Sequence, residues 1–445
     1  MEKIIEEFLN EYLKRGVYSD RETLINILTE VTLLLRKNKD KSLEDIIDLI
    51  IKDNILEFEE IRKKYGVPGY TGSISVNKIN VKMYGGNINY LGEEMPINAL
   101  FDIASMTKFY TQVVSYNLIK EGIFKREDKI KDLDNRFVNL DDVTVDDILT
   151  FGTTFQTDGR ISDKKTIDEA LNTLYNVKAT ALGKWNYNDM GMMIIKEVME
   201  HLTGLSYQEL LDKYIVKPFN LLDTHIIVPR SKFHLITGTP NFDKGNINDA
   251  TANAVGGFSG HAGIFATSDD LVKMAKMVRE SGIDRDSYTK GKLNDAIGVM
   301  GNVYIANSEG LNKSFVDKFE PNDTFAISGS TRVNLASSRD AIYTVLFNPS
   351  SMSMEDAKMR IEKINEERKK ENKAPLNPIR EYEFDRNGKM VKYKLIDPRQ
   401  IFPVDSMADV VSHVAKTTLK LRFLDFAVKK YDKEYQEIDI NKKGL

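Results

Sequence analysis

The sequence predicts an α+β fold, an antiparallel sheet packed by helices, on two observations. Helical and strand-like patterns come in blocks rather than in regular alternation, and the strand-like runs pair through short polar turns as hairpins. Both argue against a doubly wound parallel sheet.

Residues 1 to about 65 are rich in Glu, Lys, Leu and Ile at helical spacing, which predicts two or three helices, with Ser42 capping one that runs towards Lys64. Gly66, Pro68 and Gly69 break that pattern. Thr71 to Tyr84 then alternates around an Asn77-Lys78 turn and reads as a hairpin. From Ser105 to Lys120 the apolar positions Met106, Phe109, Val113, Tyr116 and Ile119 recur every three or four residues, so Ser105 is expected to open a helix that Gly122 stops. Further helices are predicted over Met190 to Leu202, stopped by Gly204, and over Ser268 to Val278, with acidic Asp269 and Asp270 in its first turn. Phe325 to Val333 and Ala341 to Phe347 favour strand, joined at Ser337-Ser338-Arg339-Asp340. Residues 355 to 373 read as a charged helix, Glu381 to Ile396 as a hairpin turned at Asn387-Gly388, and Ser406 with Asp409 as the cap of a last helix reaching Lys430.

With 445 residues, 41% of them hydrophobic, the chain can bury a full core. Its 63 basic and 67 acidic residues give a net charge of −4, which points away from nucleic acid and anionic membrane and towards a small-molecule or peptide substrate. The absence of cysteine excludes thiolate chemistry, and the five histidines show no metal-ligand spacing, so no metal or other cofactor is expected. Glu2, Glu6, Glu7 and Glu11 interrupt any signal-like apolar core at the N-terminus. Together with the lack of a spanning apolar run this reads as cytoplasmic as numbered, leaving open a signal removed before the numbering begins.

A serine hydroxyl needs a partner to take its proton, and a lysine three residues on along a helix lies on the same face. Ser105 and Lys108 have that spacing, but so do Ser75/Lys78, Ser162/Lys165 and Ser287/Lys290, and spacing alone does not choose among them. Context does. Phe101 to Lys108 is mostly apolar or small ahead of a helix that should be buried, a costly place for a lysine unless its chemistry is used, whereas the other three pairs stand in polar surroundings. There Lys108 is expected to have a lowered pKa and to act as a neutral base.

At this point the chain resembles the penicillin-recognising serine hydrolases, in the branch of class C beta-lactamases, D-alanyl carboxypeptidases and beta-lactamase-like esterases. Val67-Pro68-Gly69 with its hairpin resembles the first strands of that family, Phe101 to Lys108 its nucleophile segment, and Val143 to Phe155 the stretch that usually carries Leu-Leu-Thr-His-Thr-Ser-Gly. Tyr187-Asn188-Asp189 is similar to the family's Tyr-x-Asn or Tyr-x-Asp element, which makes Tyr187 the partner base, hydrogen-bonded to Ser105, and Asp189 an electrostatic support for Lys108. Gly260-His261-Ala262-Gly263-Ile264-Phe265 closely resembles another family segment, in which His261 reads as a structural residue. Gly257-Phe258-Ser259-Gly260-His261 lacks the last glycine of a nucleophile elbow, so Ser259 is a poor rival. Ile327-Ser328-Gly329 occupies the place of Lys-Thr-Gly or His-Thr-Gly. Gly329 would let substrate lie against the strand, the N–H groups of Ser330 and Ser105 would form the oxyanion hole, and the cation is lost at Ile327 unless Arg332 replaces it.

The resemblance implies a beta-lactamase/transpeptidase-like sheet with an inserted, mainly helical subdomain. Four parts are expected: a helical extension over 1–43, the hydrolase domain over 44–350, a charged helix and hairpin over 351–403, and a terminal helix and tail over 404–445. The function it implies is a serine hydrolase working through an acyl-enzyme on an ester or small amide or peptide. A cell-wall D-alanyl carboxypeptidase or weak beta-lactamase is the alternative. Ile327, with Phe151-Gly152-Thr153 in place of His-Thr-Ser, also leaves open a non-catalytic sensor or binding domain.

Overall fold

The structure is a computed structural model that describes residues 2–89, 92–183, 186–237, 247–281, 304–305, 318–321, 323–347, 354–375, 379–382, 393–396 and 404–435. Its centre is a six-stranded antiparallel sheet in the order Ile79–Gly86, Gly69–Val76, Ala341–Phe347, Val333–Ser337, Phe325–Gly329, Tyr304–Ile305. The first two strands come from early in the chain and the other four from beyond residue 300, so the helices between them form an insertion into the sheet's connectivity.

Successive side chains of a strand point to opposite faces, and here both faces are covered. Phe325, Ile327, Val333, Leu335, Ile342 and Leu346 enter the core that contains the Thr107–Lys120 helix. Ala326, Ala336, Tyr343, Val345 and Phe347 enter a second core with the helices Glu2–Leu13, Arg21–Lys37, Leu43–Tyr65 and Val404–Tyr435. Double coverage explains why the inner strand Gly69–Val76 is buried along its whole length, while Ile79–Gly86 at the edge is largely open. The helix Ser268–Ser281 packs against strands Gly69–Val76, Val333–Ser337 and Ala341–Phe347.

The expected N-terminal helices are present. Ser42 and Asp45 make a reciprocal capping box, and Gly66 ends the helix in the left-handed region at φ 62°. The hairpin turns at Asn77, the helices Met190–Thr203 and Met354–Lys370 form, and the strands Ile379–Tyr382 and Tyr393–Ile396 pair. The Asn387-Gly388 turn lies outside the described residues, as do Ser287 and Lys290.

Three expectations are corrected. Phe325 to Val333 is two strands, because Ser330–Arg332 form a turn in which the Arg332 N–H bonds the Gly329 carbonyl at 3.0 Å and Arg332 takes φ 66°. Ser105 sits in a single 3₁₀ turn, Ala104–Met106, that precedes the α-helix Thr107–Lys120. The last helix begins at Val404, so Ser406 lies inside it and is no cap.

A small three-stranded sheet brings the segments around Ser105 and His261 together. Phe101–Asp102 pairs with Phe265–Ala266, which also pairs with Thr224–His225. The pairing continues past its formal end, with Ile103 N–H donating to Ile264 O at 2.9 Å and Ile264 N–H to Thr107 Oγ1 at 3.2 Å. The segment around His261 is thereby fastened alongside Ser105.

Candidate active site

The Ser105 turn places the half-buried serine one turn before Lys108, whose side chain is fully enclosed. Lys108 Nζ donates to Ser105 Oγ at 2.9 Å and to the His261 carbonyl at 3.3 Å, and it pairs with Asp189 Oδ1 at 2.7 Å. Asp189 stands at the N-terminus of the Met190–Thr203 helix yet makes no capping bond. Its carboxylate serves the lysine instead.

Burial alone pulls the Lys108 ammonium down, but Asp189 and Tyr187 outweigh it and hold the group above the ordinary lysine value. In the same way, the burial that would push Asp189 up is outweighed by Lys108, and its carboxyl lies below the usual range. This corrects the expectation of a lowered pKa. The resting site holds a lysine–carboxylate ion pair, with the serine oxygen accepting from the charged member.

Tyr187 reaches the site from a loop whose order comes from Asn188. That amide donates to the carbonyls of Thr153 (3.1 Å) and Asn186 (2.8 Å) and accepts from Gly191 N–H (2.9 Å). The Tyr187 ring stacks on Phe151 with centroids 5.2 Å apart, and Lys108 Nζ lies 5.0 Å from the Tyr187 centroid. Among the described residues Tyr187 makes no hydrogen bond to Ser105; its contact is with Lys108, a correction to the expected serine–phenol bond. Phe151, where the family usually has histidine, is thus the platform for Tyr187, buried and held at φ 54°.

His261 is enclosed, and its Nε2 lies 3.1 Å from Asp249 Oδ1. Burial pushes Asp249 up, but His261 and the Ala252 N–H more than reverse this and keep its carboxyl well below the usual range. The segment turns through glycines with positive φ. At Gly260 (φ 75°) a Cβ would come within 2.6 Å of Met192 O, so no other residue fits.

On the neighbouring strand Ile327 is fully buried in the core shared with Phe325, while Ser328 and Ser330 are half-buried. At the position where the resembled family carries a cation, this chain packs an apolar side chain into the core. A Cβ on Gly329 would lie 2.5 Å from Ile103 O and 3.3 Å from Ala104 Cβ. The space that this glycine frees is filled by the segment that leads into Ser105, Ile103 and Ala104, not left for substrate. Among the described residues no group of three or more His, Asp or Glu side chains is arranged to hold a metal ion, and no helix is long and apolar enough to cross a membrane.

Sequence reasoning missed Asp102. This buried carboxylate accepts backbone N–H bonds from Ala104 and Asn248, partners that leave no side-chain signature.

The beta-lactamase family model matches residues 58–305. The chain belongs to the beta-lactamase family. That match includes Ser105, Lys108, Tyr187 and Asp189 and stops before Ile327. Among curated proteins, the chain is 25% identical over 277 residues to an Escherichia coli (strain K12) protein named "Putative D-alanyl-D-alanine carboxypeptidase", covering 53% of this chain and 59% of that one. The chain therefore spans less than two thirds of that relative's length. A class C beta-lactamase in complex with cefoxitin has a similar structure, with a TM-score of 0.58 at 16% identity over 70% of this chain and 96% of that one. So does EstCE1, described as a hydrolase with promiscuous acyltransferase activity, with a TM-score of 0.53 at 14% identity over 68% and 94%. At these identities both likenesses show the fold, a beta-lactamase/transpeptidase-like arrangement of helices and antiparallel sheet.

Proposed function

We propose that this family member is a serine hydrolase in which Ser105 is acylated by an ester or a small amide or peptide and then released by water. The observation that carries the reading is the triplet of Ser105 Oγ, the enclosed Lys108 Nζ and Asp189 Oδ1, joined at 2.9 and 2.7 Å.

The ion pair supplies a route for the proton. Bound substrate strips water from the Asp189 side chain, which is 45% exposed in the free protein, and this raises the cost of separated charges. Lys108 passes a proton to Asp189 and becomes neutral. It then takes the Ser105 proton as Oγ attacks the carbonyl carbon, and the tetrahedral oxyanion lies against the N–H groups of Ser105 and Ser330. As the bond to the leaving group breaks, Lys108 returns that proton to the leaving atom through the adjacent Tyr187 hydroxyl, which gives one proton while receiving another. Water repeats the sequence on the acyl-enzyme.

Ile327 turns the substrate preference towards molecules without the carboxylate of penicillins, because a fully buried isoleucine offers that group no charge. The carboxypeptidase name of the E. coli relative favours the second reading, a D-alanyl carboxypeptidase or weak beta-lactamase. A p-nitrophenyl ester, a chromogenic cephalosporin and a fluorescent penicillin assayed side by side separate the two. Ester turnover without lasting penicillin label is expected; stable penicillin labelling without ester turnover reverses the order.

A further inference from the structure

We propose that Asp102 is a positioning residue that fixes the Ser105 turn between the loop that leads into Asp249, the partner of His261, and the turn carrying Ser330. The proposal rests on the reading of Ser105 as the acylated serine. Three hydrogen bonds meet on this residue. Its Oδ1 accepts from Ala104 N–H at 2.8 Å, its Oδ2 from Asn248 N–H at 2.7 Å, and its carbonyl oxygen from Thr331 Oγ1 at 2.7 Å.

Each bond reaches a different part of the site. Ala104 immediately precedes the nucleophile and stands at φ 46°, a left-handed conformation that an alanine does not adopt unaided. The carboxylate that holds its N–H therefore sets the direction in which Ser105 leaves the turn. Asn248 adjoins Asp249, the partner of His261, whose carbonyl in turn accepts from Lys108. Thr331 adjoins Ser330, whose N–H is the second oxyanion donor in the proposed mechanism. One buried side chain and its own carbonyl thus tie nucleophile, base and oxyanion donor to a common point.

The chemistry of the group fits this role. An ionised carboxylate is acceptor-only and suits two N–H donors. Burial, with a smaller push from Asp249, raises the Asp102 carboxyl to about 6 even though the bonds from Asn248 and Ala104 pull it down. A buried group kept at such a cost beside a reactive serine has a use beyond packing.

The test compares Asp102→Ala, Asp102→Asn and Thr331→Val with the unmodified full chain, all held well below their melting temperatures. A serine-reactive fluorophosphonate gives the maximal labelling rate and the half-saturating concentration separately, and hydrogen exchange is followed in peptides spanning 101–109 and 247–255. At about tenfold per hydrogen bond lost, Asp102→Ala is expected to lower the maximal rate about 100-fold with the half-saturating concentration unchanged. Asp102→Asn, which keeps one acceptor oxygen, should lose about tenfold, as should Thr331→Val, which cuts only the link to the Ser330 turn. Exchange should rise in both peptides for the Asp102 variants. Labelling of Asp102→Ala at the unmodified rate, or unchanged exchange in the two segments, overturns the proposal. Raised exchange in both peptides, alongside an unmodified protein that takes no adduct at Ser105, supports the positioning role and removes the acylation reading instead.

Discussion

At the scale of single residues, the site turns on which member of the Lys108–Asp189 pair holds the proton. A neutral lysine base was the sequence expectation, because the apolar surroundings were legible. The carboxylate at 2.7 Å was legible as an electrostatic support for Lys108, but not that, with Tyr187, it outweighs burial and keeps the lysine charged. Removing it tests the ion-pair account. In Asp189→Asn, Lys108 loses the carboxylate that takes its proton, so at a pH where the lysine is still protonated labelling of Ser105 should fall by about 10- to 100-fold. Without Asp189, burial dominates and the lysine pKa drops. The residual rate should then climb with pH below the ordinary lysine value of about 10.4, a range in which the unmodified protein stays flat. A pH–rate profile identical in shape for both proteins contradicts the assignment. That Ser105, Lys108, Tyr187 and Asp189 come together was legible because their order along the chain follows a family pattern. Asp102 was not, since what identifies it is two backbone donors.

At the scale of elements, patterning located helices and strands well where periodicity or glycine marked them. The hairpin at Asn77, the capping box at Ser42 and the stop at Gly204 are of this kind. It failed at Ser330–Arg332, where a non-glycine residue takes a positive φ and neither central residue of the turn, Ser330 or Thr331, is Gly, Pro or Asn. Gly329 is the related case. Its identity was legible, but its reason was not, because the atom it makes room for is the carbonyl of Ile103, more than two hundred residues earlier. Gly329→Ala would set a Cβ 2.5 Å from that oxygen and 2.6 Å from Val333 Cγ2. The clash should cost about 1–3 kcal/mol of stability in a denaturant melt and slow Ser105 labelling at the same time, since the nucleophile segment must shift. A melt unchanged from the unmodified protein contradicts the close approach.

At the scale of the whole molecule, the first two helices share a core with the sheet and the last helix, an arrangement no local pattern could announce. Its polar centre is Arg422, which bonds Glu320 at 3.0 Å and Tyr12 at 2.8 Å, while Arg15 on the N-terminal side bonds Asp340 at 2.8 Å. Burial pushes the Asp340 carboxyl up, but Arg422 and Arg15 hold it well below the usual range. A carboxyl depressed in the folded state stabilises the protein above its unfolded value of about 3.9, and that contribution is lost as pH falls through the folded value. Melting temperature should therefore fall on acidification from pH 5, and less steeply in Asp340→Asn; equal slopes would show that the cluster is not tied together as described. Everything in the functional account depends on one activated serine. The most direct measurement is intact-mass analysis and peptide mapping after incubation with a serine-reactive phosphonate, with Ser105→Ala alongside. A single adduct on Ser105 that disappears in the variant is the predicted result, and an unlabelled protein, or an adduct on another serine, contradicts it.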